Sequence, residues 1–426
     1  MENAKALAAA VENGARTTTE ALVMTDRSPA MAHPGAVVPV LAALSALGTL
    51  ATNILLPSLP GIGASLHVSS AATTQLITVF LGIFAVGQLV VGPLSDRYGR
   101  RVPVLIGFVA FVIGSVICAV ATELPGLLFG RVIQAAGACA TSVLSRAIAR
   151  DLFSGAALAK TLTLITIAMA AAPGFSPLLG GTLDHFFGWR SSFYFVAIFA
   201  AFAATGFAAS FGETHRAERT RVHIGFIGGG YLLLLRDRCF IVPATTVALI
   251  MGGLFSMFSA APRVMIELMA FRPIEVGFFF AGTVLVVFAA GLIGNRMRER
   301  IGPDRSMQIA LMLCALGSIA VLSAAVVHGS FLAFLGASLI FLLGMGVVNP
   351  LGTAQTMAPF GKNAGAASAL LGFMQMMGAA IGVALSSTLS SNPLMALGVV
   401  MTLGSVLAVG FYALRSNQPK TCLEQS

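Results

Sequence analysis

The chain has 426 residues, of which 57% are hydrophobic and 10% are charged, and its formal net charge is +9. Its mean hydropathy is +0.92. Soluble domains carry about 25% charged residues, so this composition excludes a soluble domain and indicates a membrane protein. A positive charge suggests a nucleic-acid partner in a soluble protein, but in a membrane protein it reflects topology, and we expect no nucleic acid here.

Twelve apolar runs are long enough to cross a bilayer as helices. A spanning helix needs about 20 mostly apolar residues, and backbone amides in lipid must be satisfied within the segment. The sequence therefore predicts an all-α polytopic membrane protein. The predicted spans 1 to 12 are 38–58, 73–94, 103–122, 126–148, 160–182, 191–211, 240–260, 276–295, 307–327, 331–352, 364–387 and 393–414.

The charged segments outside these runs predict the topology. Residues 1–37 have no apolar core of signal-peptide type and are predicted to form a cytoplasmic N-terminal tail. With that orientation, the basic loops lie on the cytoplasmic side, as the positive-inside rule requires, while Arg190, Arg263 and Arg272 lie outside. Residues 415–426 then form a cytoplasmic C-terminal tail.

Two similar loops lie half the chain apart: DRYG (96–99) follows predicted span 2, and ERIG (299–302) follows predicted span 8. This repeat predicts two pseudo-symmetric six-helix bundles, 38–211 and 240–414, joined by a cytoplasmic linker, 212–239. Parallel repeats with a central site are an architecture of secondary transporters.

Cofactor and metal signals are weak in this sequence. The linker contains three consecutive glycines, 228–230, but it lacks the Lys-Ser/Thr of a P-loop. The five cysteines show no C-x-x-C spacing, so we expect no metal site. The sequence therefore predicts no cofactor, and it disfavours an ATP-driven pump.

The stretch GPLSDRYGRR (92–101) concentrates charge between predicted spans 2 and 3. So short a connection must turn tightly, which favours Gly92, Pro93 and Gly99. Asp96 can accept hydrogen bonds from amides at a helix N-terminus, and the arginines can pair with helix C-termini or headgroups. We interpret the stretch as a conformational latch, because topogenic charge alone would not require Asp96 or the glycines. The predicted latch residues are Gly92, Asp96, Arg97, Gly99, Arg100 and Arg101, with Glu299, Arg300 and Gly302 in the second half.

GPLSDRYGRR resembles the signature of the major facilitator superfamily, Gly-x-Leu-x-Asp-Arg-x-Gly-Arg-Arg. The resemblance extends to RVIQAAGACA (131–140), and APGFSPLLGGTL (172–183) is similar to the antiporter signature. The Trp189-Arg190 start of span 6, LLRDRCF before span 7 and APFGKNAGAASALLGF before span 11 resemble the bicyclomycin and chloramphenicol resistance branch of drug:proton antiporters. The resemblance implies a monomeric multidrug efflux transporter of the bacterial inner membrane, with small-molecule substrates and protons as its partners.

Predicted span 4 carries one polar stripe at helical spacing, which should line a cavity rather than face lipid. The stripe consists of Arg131, Gln134, Ala138, Thr141 and Ser145. An intramembrane arginine is costly unless it is paired or wetted, and the resemblance implies a role for Arg131 in proton transfer. An arginine that snorkels to the nearby interface is the alternative.

Predicted span 5 contains helix-breaking and small residues at close spacing: Pro173, Gly174, Pro177, Gly180 and Gly181. They remove backbone hydrogen bonds and side-chain bulk, so we expect a bent helix that packs closely on another. The resemblance implies an interface between the halves that governs leak. Packing without a mechanistic role is the alternative.

The sequence departs from the resistance branch at Asn53, where that branch usually carries an acidic residue. Asparagine cannot titrate, but its amide can donate and accept hydrogen bonds. This favours a neutral or zwitterionic substrate over a strongly cationic one. Because no carboxylate lies in the middle of a predicted span, we expect proton coupling to use Arg131 with Asp184 or Glu123 near the outer ends. Uncoupled export is the alternative.

The repeat brings predicted spans 1, 4, 7 and 10 to the centre of the molecule. The predicted cavity residues there are Asn53, Gln134, Met257 and Asn349, joined by Gln375 in span 11. We therefore predict alternating-access export of chloramphenicol-type or bicyclomycin-type amphiphiles, and a metabolite exporter or importer is the alternative. Twelve spans argue against a heptahelical receptor, and missing catalytic and filter motifs argue against an enzyme or a channel.

Overall fold

A computed structural model describes residues 37–214, 224–327, 330–390 and 392–416. Within these residues the chain is helical and contains no strand, which confirms the predicted all-α class. Residues 1–36 of the predicted N-terminal tail, residues 215–223 of the predicted linker and most of the predicted C-terminal tail lie outside the described residues.

Twelve described segments are long and apolar enough to cross a membrane. Each coincides with one predicted run, and most extend a few residues beyond it. Spans 1 to 12 are Val37–Leu66, Ser70–Tyr98, Arg101–Val120, Leu124–Leu152, Gly155–Phe187, Arg190–Ser210, Arg238–Leu268, Pro273–Ile301, Pro303–Val326, Phe331–Gly361, Ala364–Thr388 and Pro393–Ala413.

Three spans change helix type along their length. Span 1 consists of an α-helix, Val37–Asn53, a 3₁₀ turn, Leu56–Ser58, and a second α-helix, Leu59–Leu66. Span 1 therefore continues past its predicted end at residue 58. Pro57 and Pro60 do not stop it, because each lies within the first two positions of a new helical segment, where a missing N–H costs little.

The other two changes occur in the second half. Span 7 passes from the α-helix Arg238–Arg263 into a π-helical turn, Val264–Leu268. Span 10 passes from the α-helix Phe331–Met357 into a 3₁₀ segment, Ala358–Asn363. The α-helix of span 12 runs to Ser416.

Span 2 ends later than the sequence predicts. Gly92 and Pro93 lie inside its helix, and only Gly99 adopts a positive φ, +86°. The prediction that all three residues form the turn is therefore wrong. Gly99 alone ends the helix, because a left-handed backbone is the conformation that glycine adopts without a steric cost.

The packing of the spans repeats between the two halves. Spans 1 and 5, 2 and 4, 3 and 4, and 3 and 6 pack together, and so do their counterparts 7 and 11, 8 and 10, 9 and 10, and 9 and 12. The halves meet mainly through spans 2 and 11 and through spans 5 and 8. The structure is therefore two pseudo-symmetric six-helix bundles joined along two contact zones.

Glycines set the close approach of helices at equivalent places in the two halves. A Cβ atom on Gly114 of span 3 would lie 2.8 Å from Gln134 Cα of span 4. A Cβ atom on Gly317 of span 9 would lie 2.8 Å from Phe341 Cα of span 10. Small residues of this kind let helices associate in lipid by packing alone.

The outer surface of the bundle is apolar. Leu285 and Phe202, for example, are 71% and 75% exposed. Contiguous exposed side chains of this type would be a liability in water but are satisfied by lipid tails. The spans are therefore arranged with their polar groups inside and their apolar groups outside.

Basic residues collect at one end of the bundle, which we call the arginine-rich end; the other is the opposite end. The arginine-rich end carries Arg97, Arg100, Arg150, Arg236 and Arg298 near the ends of spans 2, 4, 8 and the linker helix. The linker helix, Ile224–Arg236, donates a hydrogen bond from Tyr231 Oη to Leu89 O of span 2 at 3.1 Å.

Candidate functional site

A cavity lies between the two halves and is lined by both. Its inner part has a volume of about 320 Å³, within the range of small-molecule sites. The polar groups that line it include Asn53, Gln88, Thr353 and Gln375. Aromatic and apolar side chains cover much of the remaining wall, among them Phe80, Phe84, Phe255, Leu371 and Met376.

A wider vestibule adjoins this inner cavity and has a volume of about 850 Å³. The two share Gln88, Arg146, Arg150 and Ser368 in their walls. The vestibule reaches Asp96 at the arginine-rich end and is bordered on one side by the linker helix. The cavity thus opens towards the arginine-rich end.

The halves are in contact at the opposite end. Spans 5 and 8 pack so closely there that two of their glycines have no room for a side chain. A Cβ atom on Gly277 of span 8 would lie 2.6 Å from Leu178 Cα of span 5, and a Cβ atom on Gly181 of span 5 would lie 2.7 Å from Pro273 O of span 8. Ser70 of span 2 also donates a hydrogen bond to Glu267 Oε1 of span 7 at 3.2 Å. Opening this end would require the separation of these contacts.

Span 5 is a continuous helix through Pro173 and Pro177. Its glycines face close neighbours on two sides, because Gly180 contacts the backbone carbonyl of Ile54 in span 1, and Gly174 contacts Val284 in span 8. Larger residues at these positions would push span 5 away from both.

Arg131 is fully buried and ties three spans together. Its Nε donates to Leu76 O of span 2 at 3.1 Å, and its Nη1 donates to Ala51 O of span 1 at 3.1 Å. Nη1 also donates to Gln134 Oε1 at 2.6 Å, and the guanidinium carbon lies 4.1 Å from the centre of the Phe80 ring. The side chain therefore lies in the protein interior and does not extend to an interface.

No described carboxylate contacts the Arg131 guanidinium in this conformation. Glu123 precedes span 4 at the opposite end, eight residues or about 12 Å along the axis from Arg131. Asp184 lies beside Gly61 of span 1. Neither predicted coupling partner is in place to exchange a proton with Arg131 directly.

Three of the five predicted cavity residues do not line the cavity directly. Gln134 is enclosed, because it accepts from Arg131 and donates to Ser115 Oγ at 2.7 Å. Met257 is fully buried in the core. Asn349 contacts the wall indirectly, since its Oδ1 accepts from Gln375 Nε2 at 3.4 Å.

Asn53 is fully buried at the wall of the inner cavity. Its Nδ2 donates to Thr49 O at 2.7 Å, whereas its Oδ1 has no hydrogen-bond partner within the described residues. A buried amide oxygen without a partner carries a desolvation cost. A ligand with a hydrogen-bond donor would satisfy it.

The charged residues that follow span 2 form a cluster within the first half. Arg100 donates to Asp96 Oδ1 at 2.6 Å, to Asp151 Oδ2 at 3.2 Å and to Ser95 Oγ. Its backbone N–H donates to Glu213 Oε1 at 2.8 Å. The cluster therefore connects spans 2, 3 and 4 with the segment that follows span 6.

The acceptor of amides at the start of span 3 is thus Glu213, and not Asp96 as the sequence predicts. Asp96 instead pairs with Arg100 one turn later. Arg101 reaches the C-terminal end of span 6, where its Nη2 lies 3.4 Å from Ala208 O. Arg97 lies over the Tyr98 ring, with 5.3 Å between the guanidinium carbon and the ring centre.

The segment that follows span 8, which is the equivalent of the segment after span 2, does not form a charged cluster within the described residues. Gly302 ends span 8 with φ +85°. Within the described chain, the side chains of Glu299 and Arg300 have no hydrogen-bond or ion-pair partner. Spans 9 and 12 are joined instead by Tyr412 Oη, which lies 2.9 Å from Asp304 Oδ1. The charged cluster is therefore a property of the first half.

The sequence matches one protein family over most of its length. The family model described as Major Facilitator Superfamily matches residues 41–383. This chain belongs to that superfamily. It is therefore a transporter, and its twelve apolar spans indicate an integral membrane protein.

Relatives of this superfamily member include transporters named for drug resistance. The chain is 30% identical over 381 residues to an uncharacterized MFS-type transporter, YdgK, of Bacillus subtilis, covering 88% of this chain and 94% of the relative. It is 27% identical to a bicyclomycin resistance protein homolog of Haemophilus influenzae, covering 89% and 96%. It is 29% identical to a chloramphenicol resistance protein of Pseudomonas aeruginosa, covering 76% of each chain.

A solved structure has the same fold. It is a bacterial homolog of the human lysosomal transporter Spinster in an inward-facing, unoccupied conformation. The TM-score is 0.73 at 15% sequence identity, and the match covers 92% of this chain and 99% of the other.

Several residues of this transporter's site were not predicted from the sequence. Arg146 borders both the inner cavity and the vestibule. Asp151 and Glu213 complete the charged cluster. Arg146 could have been predicted as a functional residue, because it is an arginine inside predicted span 4. Asp151 and Glu213 could not, because each pairs with Arg100 from more than fifty positions away and no local sequence pattern encodes such a pairing.

We predict that Gly99→Ala lowers both stability and transport. An L-residue at φ +86° costs about 1–2 kcal/mol, and the added Cβ would collide with the Glu213 carboxylate. Gly212→Ala is the control, because no atom lies within 4 Å of its Cβ position. Thermal unfolding of purified protein measures the effect, and equal melting temperatures for the two variants would contradict it.

We also predict that Arg131→Gln destabilises the first half. The shorter side chain leaves Gln134 Oε1 without its 2.6 Å donor, and an unsatisfied buried group costs about 1–3 kcal/mol. Arg131→Lys should recover part of the loss. Arg296→Gln, at an exposed position of span 8, is the control. If Arg131→Gln melts at the same temperature as this control, the buried network contributes no stability.

Proposed function

We propose that this transporter exports small neutral or zwitterionic amphiphiles across the bacterial inner membrane by alternating access. The observation that carries the proposal is the cavity between the halves, which combines amide and hydroxyl groups with aromatic and methionine surfaces. Such surfaces accommodate varied apolar bodies, while a few polar groups fix orientation. The names of the resistance relatives support a drug-like substrate.

The proposed orientation places the arginine-rich end in the cytoplasm. The positive-inside rule supports it, because arginines collect in the loops at that end. In this orientation the cavity is open to the cytoplasm and the contacts of spans 5 and 8 close the exterior side. An exporter would take up its substrate from this conformation.

Export then requires the two halves to rock about their contact zones. Spans 2 and 11 approach beside the cavity, where a Cβ atom on Gly372 would lie 2.7 Å from Gln88 Cδ. The substrate must bind the two conformations with different affinities, because equal affinities would shift no population. Gln88 of the first half and Gln375 of the second half both line the cavity, so both can form hydrogen bonds with a bound substrate.

We propose that proton coupling involves Arg131 together with Asp184 or Glu123. Asp184 lies on span 5 beside Gly61 of span 1, one helical turn from Gly181, which packs against Pro273 of span 8. A change in its protonation would therefore act close to the contact between spans 5 and 8 that closes the exterior. Uncoupled export is the second candidate, and the uncharged Asn53 in the cavity wall favours it.

The first test is uptake of labelled chloramphenicol into inside-out vesicles with an imposed pH gradient. Accumulation should exceed that of control vesicles and should collapse with an uncoupler. The double variant Asp184→Asn with Glu123→Gln should accumulate no label against a gradient. Label entry that is faster than in control vesicles but insensitive to the uncoupler, and that stops at equilibrium without accumulation, would support uncoupled export. Entry no faster than in control vesicles would contradict export of this substrate.

We further predict that Asn53→Asp changes substrate charge preference. The carboxylate would add a negative charge at the cavity wall, so a lipophilic cation such as tetraphenylphosphonium should be transported by the variant and not by the parent. Asn53→Ser is the control, because it changes the side chain without adding charge. Equal cation transport by all three proteins would show that residue 53 does not set this preference.

A further inference from the structure

Arg146 occupies the wall of the central cavity with most of its hydrogen-bonding capacity unused. It lies on span 4 and borders both the inner cavity and the vestibule. A guanidinium carries five N–H donors. The described contact of this side chain is Nη1 to Met169 Sδ at 3.4 Å, and a thioether is a weak acceptor.

The acidic residues near Arg146 are engaged elsewhere. Asp96 and Asp151 are both held by Arg100, at 2.6 Å and 3.2 Å. Asp237 of the vestibule accepts from the backbone N–H of Cys239 at 2.8 Å. Within the described chain, Arg146 and Arg150 have no ion-pair partner.

The inner cavity therefore has an electrostatic polarity. Among the described residues that line it, Arg146 and Arg150 are basic and none is acidic. The two are one helical turn apart on span 4, so their side chains are neighbours on that helix. In a partly desolvated cavity, two positive charges without counter-ions attract an anion more strongly than they would in bulk water.

The rest of the wall restricts which anion fits. Phe80, Phe84 and Phe255 present aromatic surface to the inner cavity, together with Leu371 and Met376. A small inorganic anion would leave this surface in contact with water. An apolar body attached to the anionic group would cover it.

We propose that Arg146, assisted by Arg150, is an organic-anion subsite that binds the carboxylate of an amphiphile whose apolar body lies against the phenylalanines. Arginine suits this role, because its planar fork matches a carboxylate with two parallel hydrogen bonds. The inference rests on the proposed function, since the ligand is a transported amphiphile, and it defines which end of a zwitterion the cavity recognises.

The test compares two ligands that differ only in charge: 4-phenylbutyrate and its primary amide, 4-phenylbutyramide. Their affinities are measured by calorimetry on the full-length protein in phosphatidylcholine nanodiscs, which contain no anionic headgroup. A hydrogen-bonded charge pair corresponds to about tenfold to hundredfold in affinity, so the acid should bind at least about tenfold more tightly than the amide.

The variants identify the residue responsible. Arg146→Gln should remove the advantage of the acid, whereas Arg146→Lys should retain part of it. Arg296→Gln, an exposed arginine that does not line the cavity, should retain all of it. Calorimetry with the amide checks that each variant still has a formed cavity.

The outcomes separate this inference from the proposed function. Equal affinities for acid and amide in the parent protein overturn the subsite, even if chloramphenicol is exported. An unchanged advantage of the acid in Arg146→Gln also overturns it. Charge discrimination that depends on Arg146 supports it, even if chloramphenicol is not exported. Loss of the advantage when phosphatidylglycerol is added to the nanodisc supports the same site and identifies a lipid headgroup as a competing occupant.

Discussion

The constraint on which this structure depends is that lipid offers no hydrogen bonds, so each span must satisfy its own backbone. The packing of one helix against another then decides how the twelve helices associate. Within each half, glycines such as Gly114 and Gly317 bring neighbouring helices into backbone contact. Between the halves, contact is concentrated at spans 2 and 11 and at spans 5 and 8. This distribution favours two rigid bodies that move relative to each other.

Two arginines on span 4 show how position determines the role of a charge. Arg131 directs its donors at the carbonyls of spans 1 and 2 and at Gln134, so it contributes to the rigidity of the first half. Arg146, about four turns along the same helix, borders the cavity, where the described chain offers it no carboxylate. The Arg131 guanidinium is thus hydrogen-bonded within the first half, whereas the Arg146 guanidinium remains available to a ligand.

The apolar runs predicted all twelve spans, because the bilayer imposes a length that the sequence must match. The cavity was harder to predict, because helical periodicity shows which face avoids lipid but not whether that face meets water or protein. Gln134 and Met257 lie on inward faces and are nevertheless enclosed. The pairing of Arg100 with Asp151, and of its amide with Glu213, depends on how spans 3, 4 and 6 pack, which no local pattern encodes.

The central claim is that the two halves move as bodies, so that one end closes as the other opens. Spin-label distances in a variant without native cysteines would test it, with one label pair on Lys160→Cys and Arg305→Cys and another on Phe187→Cys and Val327→Cys. These exposed positions lie at the two ends of spans 5 and 9. The account predicts that saturating chloramphenicol shifts the two distances in opposite directions. Distances that stay fixed, or that change in the same direction, in a transport-competent protein would contradict it.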